Sequence, residues 1–169
     1  MATRNINYGS YTAVTVTNLQ SLASSATAGW QSGRIDNQTS VKALDYEIFV
    51  KLTTANTAPA NDKCAYVYIS PAMTSDGGST WLHADQGTTT MPTGTEGTTT
   101  IVAGGGNMRL LGVMAYTTQQ QVMQASFNIS NTVGQSMPDG FSIIIVNFSG
   151  AALSTGCVVS YRAITETIA

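Results

Sequence analysis

The sequence predicts an all-β protein: an antiparallel β-sandwich of about eight strands, closest to a jelly roll, with an extended N-terminal arm. Three observations carry this. Apolar and polar residues alternate with period two in several segments, whereas helical periodicity is missing. Strong helix formers are scarce and no capped amphipathic helix can be traced. Turn signals punctuate the chain at Pro59–Asp62, Asp76–Gly78, Gly104–Gly106 and Pro138–Gly140. An immunoglobulin-like sandwich is the second choice, but its Cys–Trp–Cys spacing is missing.

In chain order, residues 1–11 are polar and aromatic without periodicity, which predicts the extended arm, and residues 12–169 form one sandwich domain. Thr12 to Thr17 is a first short strand. In Leu44 to Leu52, residues Leu44, Tyr46, Ile48, Val50 and Leu52 share one face, and Asp45, Glu47 and Lys51 the other. Only Phe49 breaks the polar face, which predicts contact with a loop or a partner. Ala65 to Ile69, Leu110 to Tyr116 and Phe141 to Phe148 are apolar on both faces, so they read as central strands covered on both sides, by the chain itself or by a partner subunit. Thr98 to Val102 adds another short strand. Met123, Ala125, Phe127 and Ile129 alternate with polar residues, and Cys157, Val159, Tyr161 and Ala163 do so at the end of the chain. Residues 84–106 form a long Thr/Gly-rich loop with two Gly-Thr-Thr-Thr runs around Met91; such a loop is a solvated surface segment or a partner contact.

Charge narrows the function. Seven basic and nine acidic residues make charged side chains 9% of the chain, against about 25% in ordinary soluble domains. With so few ionisable groups, no catalytic residue, cofactor, metal or small-molecule substrate is expected. A net charge of −2 gives no electrostatic footprint for nucleic acid or anionic lipid. No apolar run approaches the roughly 18 residues of a membrane helix, and no secretory signal is visible, which predicts synthesis in the cytoplasm. Cys64 and Cys157 read as buried thiols, and the glycosylation-like triplets at Asn37, Asn128 and Asn147 as chance matches.

The local motifs are mostly structural. His83 is the sole histidine, two residues from Asp85, but no Gly-x-Ser-x-Gly elbow accompanies it. Asp45 and Glu47 lie on one strand face, as a glycosidase pair would, yet Lys51 shares that face as on any solvated strand. Gly104–Gly106 precedes a strand and no Lys-Ser/Thr follows, so it is no phosphate loop. Thr74-Ser-Asp76-Gly-Gly78-Ser-Thr80-Trp81 resembles the Asp-box of sialidases and other β-propellers. A single copy in a chain this short predicts a stable hairpin built on Asp76, Gly78, Thr80 and Trp81, not an enzyme.

A second resemblance bears on function. Leu19-Gln-Ser-Leu22-Ala-Ser24 leads into a small-residue segment, an Asp36-Asn37 turn and the strand opened by Leu44-Asp45-Tyr46. This pattern is similar to small structural proteins of tailed bacteriophages, of the capsid decoration (cement) type, over about the first half of the chain. The resemblance implies a virion protein on the capsid surface. It would bind the major capsid protein and its own copies, as a homodimer or homotrimer. Candidate partner-contacting residues are Arg4, Ile6, Tyr8, Tyr11, Trp30, Arg34, Phe49, Met91 and Met108, in arm, loop or outward positions; Trp30 could instead plug the sandwich. The alternative is a carbohydrate- or receptor-binding module of a phage tail or fibre, with a sugar platform at Trp30–Arg34–Asp36 or Trp81–His83–Asp85.

Overall fold

The computed structural model describes residues 3–38, 42–60, 63–83, 93–101, 108–134 and 136–168. Its strands are β1 (Arg4–Tyr8), β2 (Thr12–Ala13), β3 (Ala28–Gln31), β4 (Ile35–Asp36), β5 (Asp45–Thr53), β6 (Cys64–Thr74), β7 (Trp81–His83), β8 (Gly97–Thr100), β9 (Arg109–Ala115), β10 (Val122–Asn128), β11 (Gly140–Phe148) and β12 (Val158–Ile168). A single helical turn, α1 (Ser130–Val133), follows β10.

Two antiparallel sheets face each other. The five-stranded sheet runs β1–β12–β5–β10, with β2 also lying along β12. The seven-stranded sheet runs β7–β6–β11–β3–β8, with β9 beside β6 and β4 beside β11. Take β1 with β2 as one strand and β3 with β4 as the next, and set β7 and β8 aside as an insertion. The remaining eight then run first–eighth–third–sixth in one sheet and second–seventh–fourth–fifth in the other. That order is a jelly roll.

Alternation decides what lies between the sheets. In β5, Tyr46, Ile48, Val50 and Leu52 are buried while their neighbours are half-exposed. Leu44, expected on the same face, precedes the strand and is exposed. Met123 and Ile129, with Cys157 and Val159, join the same core, with Ala125, Phe127, Tyr161 and Ala163 packed against it. The seven-stranded sheet answers with Trp30, Val67, Ile69, Phe141, Ile143 and Ile145. Each such side chain contributes about 1.5–3 kcal/mol on burial. At one corner the Phe127 ring lies where a Cβ on Gly112 would stand, so only glycine lets β10 approach β9.

The strands that read as apolar on both faces have different fates. On β11, Ile143 and Ile145 enter the core, while Ile144 and Val146 form a second buried cluster on the outer side of the sheet. Ile101 and Met108, from the insertion between β6 and β9, complete that cluster with Tyr66 and Tyr68 packed against it. The chain itself therefore supplies cover for β11. On β9, Leu110 and Val113 stay exposed. Of the expected loop at 84–106, residues 93–101 carry β8 paired to β3, and residues 84–92 and 102–106 lie outside the described residues.

The Asp-box joins β6 to β7 as the hairpin its sequence predicted, with Thr74 opposite Trp81. The Asp76 carboxylate accepts the N–H groups of Ser79 (3.0 Å) and Thr80 (2.8 Å), and the Thr74 hydroxyl donates to it at 2.8 Å. These bonds, the Thr80 N–H foremost, hold its pKa far below the usual carboxylate range. Gly77 and Gly78 take φ of 71° and 106°, and the Trp81 Nε1–H donates to the Gly78 carbonyl at 2.8 Å.

Candidate partner-binding surface

The outer face of the five-stranded sheet gathers five of the predicted partner-contacting residues: Arg4, Ile6, Tyr8, Tyr11 and Phe49. Phe49 points outward because its neighbours Ile48 and Val50 point into the core. The Tyr11 ring meets it edge-on, centroids 6.3 Å apart, so the apolar interruption of the polar face does meet the N-terminal segment. Arg162, also outward on β12, lies over Tyr8 at 4.9 Å and over Tyr11 at 4.8 Å. Its Nε donates to Glu47 at 2.6 Å. Farther along, Arg4 forms a two-bond pair with Glu166, which lowers the Glu166 pKa.

This face is apolar as well as charge-paired. Ile6 is 53% exposed, Tyr8 61% and Ile168 73%. The segment expected as an arm is extended, but at Arg4–Tyr8 it is a strand of the chain's own sheet. Pairing of β12 with β5 ends at Ile164 opposite Asp45, while β12 continues to Ile168 along β1. The two therefore form a ribbon that runs past the end of β5. Arg162 and Glu166 were not singled out in the sequence. The only signal for them is outward parity on β12, which becomes meaningful once β1 is placed beside that strand.

Other candidates lie elsewhere. Trp30 is fully buried, its Nε1–H donating to Glu96 at 2.7 Å, so it plugs the sandwich and is no surface contact. Burial alone would raise the Glu96 pKa, but bonds from Trp30 and from the Asn18 backbone and side chain outweigh it and lower it. Met108 is likewise buried, in the second cluster, because Ile144 and Val146 need cover. Met91 lies outside the described residues.

The two proposed sugar trios partly merge. The Arg34 guanidinium sits over the Trp81 ring at 4.1 Å, and a Cβ on Gly140 would stand 2.7 Å from the same ring. Trp81 is thus covered by its own chain, Trp30 is in the core, and Asp85 is outside the described residues. His83 sits beside this pair, and burial, then Arg34, lowers its pKa.

The carboxylate pair is occupied structurally: Asp45 accepts bonds from Asn128, the Ser130 N–H and the Ser130 hydroxyl, while Glu47 holds Arg162. Cys64 and Cys157 are buried free thiols. Asn37 and Asn147 are buried, their amides donating to the carbonyls of Pro138 and of Leu22 and Ala151, so neither is presented for modification. Among the described residues no cluster of three or more His, Cys, Asp or Glu could hold a metal ion, and no helix is long and apolar enough to cross a membrane. No family model, curated protein or solved structure matches this chain.

Proposed function

We propose that this protein is a structural subunit of a phage virion that decorates and cements the capsid, binding its own copies and, through the outer face of the five-stranded sheet, the major capsid protein. One observation carries the reading: Tyr8, Tyr11 and Phe49, arranged around the Arg162–Glu47 pair, form an aromatic platform presented at the surface. Aromatic and arginine side chains concentrate in this way at protein interfaces. The low overall charge supports close packing, because few ions must be stripped of water. The N-terminal likeness to phage decoration proteins supplies the virion context.

A glycan-binding role is the weaker reading, because both tryptophan rings are engaged by their own chain. Quantitative mass spectrometry of purified particles tests the proposal: a cement subunit is present in hundreds of copies, of the order of the capsid subunits themselves. Tyr8→Ala with Phe49→Ala should abolish binding to particles lacking the protein while leaving it folded. A handful of copies per particle, or binding unchanged in the double variant, would sink the reading.

A further inference from the structure

β1 is one of the two edge strands of the five-stranded sheet, β10 being the other. The Gly9 N–H donates to the Ala163 carbonyl across to β12 at 2.9 Å. Continuing that alternation back through the unbroken register, Asn5 and Asn7 aim their backbone groups at β12. Arg4, Ile6 and Tyr8 therefore aim theirs away from the sheet. All five residues of the strand are exposed. Edge strands are commonly blunted by lysine, proline or a bulge. None of these interrupts β1, and its one charge, Arg4, is neutralised by Glu166.

We propose that two copies of this chain pair edge to edge through antiparallel β1 strands, about a two-fold axis at Ile6. The occupant follows from the strand's own pattern. A two-fold at Ile6 sets Ile6 against Ile6, Arg4 against Tyr8 of the second copy, and Asn5 against Asn7. Those pairs are an apolar contact, a cation over an aromatic ring, and amide against amide. The arginine–tyrosine contact is one that Arg162 already makes with Tyr8 within the chain. No like charges face each other. The pairs at Ile6 and at Arg4–Tyr8 each exchange both their backbone hydrogen bonds. By contrast, the free edge of β12 beyond Ile164 has Glu166 at its middle, so a two-fold centred there sets carboxylate against carboxylate. Directly opposite residues point to the same side of a sheet, so the outer faces of both copies point the same way and the Tyr8–Tyr11–Phe49 platform is doubled. For its use in the virion the inference rests on the assembly reading above, but the pairing is tested on the isolated chain.

Sedimentation equilibrium of the full chain should give twice the 17.7 kDa chain mass, dissociating on dilution. Ile6→Pro removes an outward N–H and no bond to β12, and Ile6→Lys adds a charge opposite its own copy. Both variants should sediment as single chains, with circular dichroism unchanged; if the proline variant unfolds, the lysine variant decides. A single-chain mass for the wild type at every concentration overturns the proposal. So does a dimer that persists in Ile6→Lys, or a wild type that associates only once capsid protein is added. A dimer that forms and is lost in Ile6→Lys, in a protein that fails to bind particles, upholds the pairing and removes the capsid reading.

Discussion

The middle of the seven-stranded sheet and the β1–β12 side of the five-stranded sheet dispose of their outward apolar residues in opposite ways, although Leu110 and Val113 on β9 stay exposed. Outside the seven-stranded sheet, Ile144 and Val146 are buried with Ile101 and Met108 drawn from the insertion between β6 and β9. Outside the five-stranded sheet, Ile6, Tyr8 and Tyr11 remain at the surface, with Arg162 lying over the two tyrosine rings. Both faces look amphipathic or better in sequence, but among the described residues only the seven-stranded sheet has a long segment of chain laid over part of it. The contrast separates apolar surface that serves this chain's stability from apolar surface that is left for something else.

The largest effect is expected in the core both sheets share. Trp30→Ala should cost about 3–5 kcal/mol in chemical denaturation, the usual range for a buried tryptophan, since it empties a fully buried site and removes the Glu96 bond. A loss near zero would mean that Trp30 is not the plug described. Next in size, Ile144→Ala should cost about 2–5 kcal/mol; a value near that of a surface substitution would show that the insertion does not seal the outer face of β11. The same measurement on Tyr8→Ala should stay within about 1 kcal/mol, because its exposed ring mainly contacts Arg162. Large losses in both would erase the distinction between the two faces.

The smallest effect is in pH. The folded-state pKa of His83 lies below the ordinary value of 6.5, because burial, then Arg34, disfavours the charged ring. Below about pH 6.5 the unfolded chain therefore binds the proton first. His83 then favours the folded state fully above that pH, and the contribution falls away as pH drops toward the folded pKa. Melting temperatures from pH 8 to 5 should decline, and His83→Gln should flatten the part of the decline above the carboxylate range. A profile identical in the variant would remove His83 as its source.

How much of this was legible follows from which signals are local. The alternation of β5, β10 and β12 was readable because a half-buried strand writes its two faces into consecutive residues. The Asp-box hairpin was readable for the same reason, since Thr74 to Trp81 close their bonds within eight consecutive residues. β3, reading Ala-Gly-Trp-Gln, shows no alternation, and its strand character comes from pairing with β11 and β8. β1 is polar and aromatic without an obvious core face, because it has none: every residue is exposed. Met108 lies in the second cluster and not at the surface for a related reason, as burial by a distant insertion leaves no periodic trace nearby, and of the two readings open for Trp30 the structure shows the plug between the sheets. The platform joined Tyr8, Tyr11 and Phe49, all noticed singly, through Arg162, which only the register of β1 and β2 on β12 reveals.

That register has a consequence for how the molecule comes into being. In the five-stranded sheet β12 stands between β1 and β5, so the first and third strands of the jelly roll have no direct contact to hold them until the last one arrives. The Arg4–Glu166 pair spans 162 positions of sequence. A ribosome must therefore deliver all eight jelly-roll strands before the sheet can close, and contacts of such long range belong to folds that form in milliseconds to seconds, not microseconds. Until β12 is made, β5 carries a bare edge where that strand will lie, and the nascent chain must be kept from neighbours until β12 slots into the middle.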